Sequence, residues 1–308
     1  MRIAYFPKNE GESNLFTREF QRIGLDFSIY SPSDVWLGFE ETLEFGTGPE
    51  LDIKDLDGPK KFNEPFTDFD LIFQRSISSW ERIYGLKSVR FFFDILELVS
   101  DQIRIVNPPV STRICQKKHL AMSTLARGGI PILPFFASTN PVRNMFITKK
   151  MMPPLMVKTL EGAGGIGVLM SPDEQVAGDI ISLFYKNCDI PLLQPYKKVD
   201  HDIRVLIIGG RVAGLIKRES KLHKHNISLG GNPSPISPED VPSSVIEYSI
   251  RSAELLSLDI AGVDILITDD GPYVLEVNPS PGFKGLSSAL GKNIPREIAN
   301  FLNNVSSS

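Results

Sequence analysis

The feature that most constrains this chain is a pair of apolar segments near its C-terminal end. Residues 263–268 (VDILIT) and 273–278 (YVLEVN) have the length and the β-branched content of strands. Between them lies Asp-Asp-Gly-Pro at 269–272, a composition typical of tight turns. The pattern therefore predicts a β-hairpin.

Three polar side chains lie within the two strands of this hairpin: Asp264 in the first strand, and Glu276 and Asn278 in the second. Alternation along a strand sends Glu276 and Asn278 to the same face. Charged groups in such apolar strands are costly unless something pairs with them, and Mg²⁺ takes oxygen ligands of these types. The three residues are therefore predicted to bind a metal; the alternative is that they are edge-strand polar residues facing solvent.

A glycine-rich loop forms a second candidate site. Residues 153–168 (PPLMVKTLEGAGGIGV) run from an apolar strand ending at Lys158, through the loop, into another apolar strand. Glycine lets backbone N–H groups turn inward around phosphate oxygens, and Lys158 adds a positive charge for the same phosphates. The loop glycines are Gly162, Gly164, Gly165 and Gly167. The loop is not a Walker-type P-loop, and a plain hairpin tip is the alternative.

The order of polar residues along the chain resembles that of the ATP-grasp ligases. Within them, the chain is most similar to the RimK-like glutamate ligases, which add glutamate through α-amide bonds. The resemblance covers nearly the whole chain and is strongest over residues 107–295. It rests on Lys118, Lys158 and its glycine loop, Gln194, Tyr196, Asp202, Arg204, Arg218, Asn226, Asp264, Glu276 and Asn278.

This resemblance implies an ATP site. Lys118 and Lys158, from different elements, would clamp the triphosphate. Gln194 and Tyr196 would meet the adenine edge at the hinge between two lobes. The family commonly has Glu where Pro195 stands, and proline removes a backbone donor.

The resemblance also assigns roles around the ribose and the transferred phosphate. Asp202 would lie near the ribose and Arg204 would help to build a charged floor; a structural salt bridge between these two is the alternative. Arg218 and Asn226 would lie beside the transferred phosphate. The family often has arginine where Lys224 stands, and lysine lacks the bidentate guanidinium fork.

The predicted fold class is α/β, with the ATP-grasp fold: an N-terminal open α/β domain followed by two lobes that clamp ATP. The predicted regions are 1–107, 108–190 with the glycine loop, and 191–308 with the metal site. In the first, strands alternate with helices, which favours parallel strands. Residues 38–69, acidic and rich in Gly and Pro, predict an irregular or hairpin insertion, and a closing helix is expected near 294–304.

Composition limits the partners. The net charge of −4 argues against nucleic acid as a partner, and without an apolar run approaching ~20 residues no membrane span is expected. Two cysteines, Cys115 and Cys188, without metal-like spacing fit a reducing cytoplasm. His223 and His225 could suggest zinc, but no third ligand has suitable spacing. We also expect a homo-oligomer, either a dimer or a tetramer.

The expected reaction is an ATP- and Mg²⁺-dependent carboxylate–amine ligation through an acylphosphate, with Mn²⁺ as a possible substitute. Glutamate or a similar amino acid would be added to a peptide, protein or small-molecule acceptor. Two other classes stay open: a kinase that phosphorylates a small polyol phosphate, which would show a denser basic pocket, and a nucleotide-binding module without catalysis. Acceptor specificity is expected from the first domain, at Arg75 and residues 79–85, and from the loop after Pro281.

Overall fold

The computed structural model describes residues 1–39, 43–47, 64–75, 77–162, 167–219 and 232–305. The described residues divide into two compact units. The first contains Met1–Thr112, Leu258–Ile260 and the C-terminal residues from Asn293; the second contains Arg113–Ser257 and Ala261–Lys292.

The first unit is built on a parallel sheet with strand order β2-β1-β6-β7, which confirms the predicted open α/β domain. Helix α1 begins where the Asn9 side chain accepts the N–H of Glu12, and it buries Phe16 and Phe20. The strands are β1 (Arg2–Phe6), β2 (Asp26–Ile29), β6 (Leu71–Gln74) and β7 (Arg104–Val106), and the helices are α1 (Glu10–Arg22), α2 (Ile77–Tyr84), α3 (Leu86–Val99) and α10 (Ile294–Val305).

The predicted insertion forms a hairpin in its described part. Strand β3 (Val35–Phe39) pairs antiparallel with β4 (Leu43–Thr47), which pairs with the short β5 (Glu64–Pro65). Residues 40–42 and 48–63 of the insertion lie outside the described residues.

Arg75, an expected specificity residue, lies buried directly after β6. Its Nε donates to the buried Glu12 carboxylate at 3.0 Å. A buried guanidinium needs such a partner. The ion pair with Glu12 therefore explains how Arg75 can be buried directly after β6.

The second unit contains an antiparallel sheet with strand order β10-β9-β11-β8. Its strands are β8 (Phe136–Ala137), β9 (Leu155–Thr159), β10 (Val168–Ser171) and β11 (Pro191–Pro195). Helix α4 (Pro109–Gln116) precedes this region in the chain, and the helices that follow are α5 (Lys118–Arg127), α6 (Pro141–Met151) and α7 (Glu174–Lys186).

A further sheet in this unit has strand order β14-β13-β12-β15-β16 and carries the predicted hairpin. The prediction is confirmed, but the turn is shorter than expected because Gly271 and Pro272 already belong to the second strand. The strands are β12 (His201–Ile208), β13 (Arg211–Glu219), β14 (Asn232–Pro235), β15 (Ile260–Thr268) and β16 (Gly271–Asn278), with helices α8 (Ser243–Leu255) and α9 (Lys284–Leu290).

The closing helix lies at its predicted place in the sequence, as α10, but it packs against α1 of the first unit. Arg296 Nε donates to Glu19 at 2.9 Å. The division into three functional regions stays a prediction. Among the described residues, no helix is long and apolar enough to span a bilayer.

Candidate functional site

All candidate site residues that the structure describes belong to the second unit, and two lysines are central to them. Lys118 is the first residue of α5; its N–H donates to Leu160 O at 2.9 Å and its Nζ to Gly162 O at 3.1 Å. Lys158 comes from β9. Lys118 is thus tied to the chain just before and within the glycine-rich loop.

The negative charge of Glu276 affects the pKa of both lysines. Burial lowers the pKa of Lys158 to about 8, an effect that Glu276 opposes and Lys118 reinforces. Burial also lowers the pKa of Lys118, and Glu276 again opposes it. The structure therefore brings together two expected phosphate ligands and one expected metal ligand, although they lie far apart in sequence.

Gln194 supports Lys158 from the neighbouring strand. The buried Gln194 side chain accepts a hydrogen bond from Lys158 Nζ at 2.6 Å. The N–H of Tyr196, two residues further on, donates to Pro154 O at 2.9 Å. The side chain of Gln194 thus orients the ammonium group of Lys158. The contact of Gln194 with adenine stays a prediction.

The sheet separates Lys158 from helices α6 and α7. Val157 and Leu193 belong to an apolar cluster that includes residues of α6 and α7. Because side chains alternate across a strand, Lys158 and Gln194 point to the opposite face. The candidate phosphate site and helices α6 and α7 therefore lie on opposite faces of the sheet.

The expected metal ligands share one face of the β15–β16 hairpin. Asp264 lies directly opposite Glu276, and Gly262 lies opposite Asn278. Asn278 Oδ1 accepts the N–H of Ser280 at 2.8 Å, which fixes the turn that follows the strand. Glycine is needed at 262, since a Cβ there would lie 2.8 Å from a Pro281 carbon.

Two arginines hold Asp264. Arg204 contacts both of its carboxylate oxygens, with Nη2 to Oδ2 at 2.7 Å, and Arg218 Nη2 lies 2.9 Å from Oδ2. Burial works against the charged carboxylate, but the two guanidinium groups hold the pKa of Asp264 below its usual value. Asp264 is therefore an anion at neutral pH.

The ion pair of Asp202 differs from the expected alternative. The sequence suggests Arg204 as a partner for Asp202, because the two residues are two apart on β12. Instead, Asp202 lies opposite Arg218 on β13 and accepts its Nε at 2.7 Å and its Nη2 at 2.5 Å. Burial works against the charge of Arg218, but Asp264 and Asp202 together raise its pKa. The result is a buried row of alternating charges.

The donor set fits Mg²⁺ in its chemistry. Glu276 and Asn278 provide a carboxylate and an amide oxygen on one face, and the Asp264 carboxylate lies beside them. Asp264 would have to share its oxygens with the arginines. In the described part of the chain, His, Cys, Asp and Glu alone form no group of three or more that could hold an ion. The predicted set combines two carboxylates with the amide oxygen of Asn278.

The glycine-rich loop is described only at its ends. Gly162 has φ +133° and Gly167 has φ +73°, backbone conformations that residues with a side chain rarely adopt. A Cβ at Gly167 would lie 2.6 Å from the Thr159 side chain. Gly164 and Gly165 lie outside the described residues, as do Asn226 and the neighbouring Lys224, His223 and His225.

Two further residues, Glu161 and Cys115, lie beside the site. Glu161 forms an isolated β-bridge with Lys117, which holds the start of the loop against the start of α5. Cys115 is buried near Glu276, and burial followed by that charge raises the pKa of its thiol to about 12. The thiol is therefore protonated at neutral pH, and its burial is that of a small packing residue.

Comparison with known proteins supports the expected fold. Residues 115–302 match the RimK-like ATP-grasp domain. A probable alpha-L-glutamate ligase of Syntrophotalea carbinolica is 34% identical over 247 residues, 78% of each chain. A probable alpha-L-glutamate ligase of Aeromonas salmonicida is 36% identical to this chain over 64% of this chain and 67% of that protein.

Solved structures show the same fold at low identity. The RimK domain ATP-grasp protein of Sphaerobacter thermophilus superposes with a TM-score of 0.70 at 18% identity, covering 98% of this chain and 99% of that one. The ATP-grasp ligase PsnB, complexed with minimal precursor, Mg and ADP, gives a TM-score of 0.71 at 14% identity, covering 100% and 98%. The predicted ATP-grasp fold is confirmed.

Proposed function

We propose that this chain, which belongs to the RimK-like ATP-grasp family, is an ATP-dependent carboxylate–amine ligase that adds glutamate or a similar amino acid to an acceptor. The observation that carries the proposal is that Lys118, Lys158 and Glu276 belong to one compact unit and influence one another electrostatically. Two cations and a carboxylate ligand are the groups that a metal-bound triphosphate requires.

The proposed roles begin with the nucleotide. Lys118 and Lys158 bind phosphate oxygens, and Gln194 keeps the Lys158 ammonium in place. Backbone groups of the loop glycines, Gly162, Gly164, Gly165 and Gly167, surround the phosphates. Tyr196 and Gln194 lie at the adenine edge and Asp202 lies near the ribose. These assignments rest on the family pattern together with the positions described above.

Asp264, Glu276 and Asn278 would hold Mg²⁺, which when bound offsets the charge of the phosphates. The acceptor carboxylate attacks the γ-phosphorus and ADP leaves, giving an acylphosphate. The amine of glutamate then attacks the acyl carbon, the amide bond forms, and inorganic phosphate leaves as the amine loses its proton. The protein positions the reactants and neutralises charge.

Arg218 and Asn226 are proposed to lie beside the transferred phosphate. Asp202 and Asp264 fix the guanidinium of Arg218 on one side, so its orientation is set before the substrate arrives. Arg204 keeps Asp264 ionised and oriented. A preorganised charge of this kind stabilises the developing charge of phosphoryl transfer without a further reorganisation cost.

We also propose that Mn²⁺ can replace Mg²⁺, that the protein is cytoplasmic, and that it forms a homodimer or homotetramer. The sparse cysteines support the reducing compartment. Light scattering after size-exclusion chromatography measures the oligomeric state directly, and a monomer at micromolar concentration would contradict that part of the proposal.

A screen for ADP release tests the function. Purified protein, ATP and Mg²⁺ are incubated with pairs of amino acids and carboxylate acceptors, in parallel with hydroxyl acceptors such as polyol phosphates. We expect ADP only when glutamate or a close analogue meets a carboxylate acceptor, and mass spectrometry should show the added glutamyl residue. A phosphorylated polyol would indicate the kinase, and no ADP with any pair would indicate a module without catalysis.

A further inference from the structure

Helix α6 packs Ile147 and Met151 on the core of its lobe, but it also exposes other apolar side chains and buries two polar ones. The exposed fractions are 73% for Val142, 36% for Met145 and 66% for Phe146, whereas Asn144 and Thr148 are buried. A helix on the surface of a lobe normally shows the opposite pattern. Something other than the core of this lobe must account for the exposed apolar residues.

The buried polar residues fix which side of the helix faces outward. Asn144 Nδ2 donates to Ser138 O at 3.1 Å and contacts the Tyr185 hydroxyl at 2.5 Å, and Thr148 Oγ1 donates to Asn144 O at 2.9 Å. Rotating the helix to bury its exposed apolar residues would break the two bonds of Asn144 to Ser138 and Tyr185 and leave a buried amide unpaired. The outward orientation is therefore built into the fold.

The exposed side is also basic. Arg143, Lys149 and Lys150 are exposed, α6 contains no Asp or Glu, and none of the three cations forms an ion pair with any described residue. We call Val142, Arg143, Met145, Phe146, Lys149 and Lys150 the α6 outer face. Apolar side chains among unpaired cations are complementary to a surface that is both apolar and acidic.

A second copy of the same face does not fit. Pairing of the α6 outer face with itself about a two-fold axis would place Arg143, Lys149 and Lys150 against the same cations of the partner. Like charges across an interface oppose association. A partner of opposite charge is therefore favoured over self-association through this face.

The position of α6 decides what binding there could do. The helix packs on the sheet face that carries Val157 and Leu193, and the candidate phosphate site with Lys158 is on the other face. A molecule bound to the α6 outer face does not touch the nucleotide. Binding there could hold a partner near the protein without taking part in the chemistry.

We propose that the α6 outer face docks an acidic, amphipathic segment of a polypeptide acceptor, away from the reacting end. This inference rests on the proposed function and narrows its acceptor from any carboxylate to a polypeptide. A chain that gains glutamate becomes more acidic, so the charge of the face also suits the product. Apolar anchors of a helical segment would pack on Phe146 and Val142, with acidic residues opposite the cations.

Direct binding tests the docking. The probe is a fluorescein-labelled peptide of about 15 residues with leucines at helical i, i+3, i+4 and i+7 positions and glutamates elsewhere. The variants are Phe146→Ser and the double change Lys149→Glu with Lys150→Glu. Matched controls are Leu98→Ser and Lys87→Glu, which change an exposed leucine and an exposed lysine of α3.

We expect each outer-face variant to weaken peptide binding about tenfold or more, since a large part of one aromatic side chain or two charge pairs is lost. The controls should bind as wild type does. Added salt should weaken wild-type binding more than that of the double-charge variant. Equal binding by wild type and both outer-face variants would overturn the proposal.

Two further measurements separate other occupants. Sedimentation with phosphatidylserine-containing vesicles that depends on Phe146, without peptide binding, would overturn the proposal in favour of a membrane surface. A dimer that Phe146→Ser dissociates, again without peptide binding, would overturn it in favour of self-association. Circular dichroism should show the same thermal unfolding for every variant, because the changed side chains are exposed.

Kinetics distinguish failure of this inference from failure of the proposed function. With a long acidic acceptor, Phe146→Ser should raise the KM for the acceptor about tenfold and leave kcat and the KM for ATP unchanged. With an acceptor of one or two residues, the variant should equal wild type. Ligation that is unaffected by Phe146→Ser would refute docking alone, whereas peptide binding without any ligation would refute the proposed function alone.

Discussion

Lys158 should make ATP binding depend on pH in the alkaline range. Burial lowers its pKa to about 8, so the free protein carries a neutral amine there above that pH. A triphosphate binds the protonated form. The contribution of Lys158 to ATP affinity is therefore fully present below pH 8 and falls as the pH rises. The fall ends once the pH exceeds the pKa of Lys158 in the ATP complex.

The size of the effect follows from two pKa values. If contact with the triphosphate returns Lys158 to its ordinary value of 10.5, the shift corresponds to about 3 kcal/mol of favourable coupling. Between about pH 7 and pH 9.5, the Kd for ATP should then rise roughly 30-fold. The loss should be small below pH 8 and steep above it.

The assay is titration calorimetry with a nonhydrolysable ATP analogue and Mg²⁺ at several pH values. Lys158→Arg keeps the charge at every pH and should lose most of the pH dependence, leaving only what Lys118 contributes. Lys158→Met should bind weakly at every pH. An alkaline loss of affinity in Lys158→Arg as large as in wild type would refute the assignment of this titration to Lys158.

Three further predictions concern other parts of the site. Glu276→Gln should lower kcat by at least about a hundredfold with the fold unchanged, since it removes a proposed metal ligand. Near-normal turnover at ordinary Mg²⁺ would contradict the role of Glu276 as a metal ligand. Arg218→Met should cost about 3–5 kcal/mol in urea unfolding, because it leaves Asp202 buried and unpaired; a loss below about 1 kcal/mol would mean that water or another cation compensates. Gly167→Ala should destabilise by about 1–3 kcal/mol, from its φ of +73° and its contact with Thr159, and adding Thr159→Ala should recover only the contact part.

The sequence was most informative where a local pattern sufficed. Alternation in two neighbouring strands and the turn between them predicted the hairpin, with Glu276 and Asn278 on one face of its second strand. The run of glycines between two apolar segments likewise predicted two strands joined by a loop, which are β9 and β10. Both inferences use residues that are close together in the chain, so no tertiary contact had to be known.

Tertiary pairing was the part that could not be predicted. Asp202 pairs with Arg218 because residues directly opposite on neighbouring strands are closer than residues two apart on one strand. The bond from Lys158 to Gln194 depends on the pairing of β9 with β11, 36 positions further along the chain. Helix α10 packs on α1. The amphipathic pattern of α10 shows that one of its faces is buried, but it does not show which helix covers that face.

The most direct test of the account follows the oxygen atoms. A peptide acceptor labelled with ¹⁸O in its C-terminal carboxylate is incubated with the protein, ATP, Mg²⁺ and glutamate, and the released phosphate is analysed by mass spectrometry. An acylphosphate intermediate predicts that each phosphate released on amide formation contains one carboxylate oxygen, with ADP as the other product. Unlabelled phosphate, or AMP with the label in it, would contradict γ-phosphoryl transfer to the acceptor carboxylate.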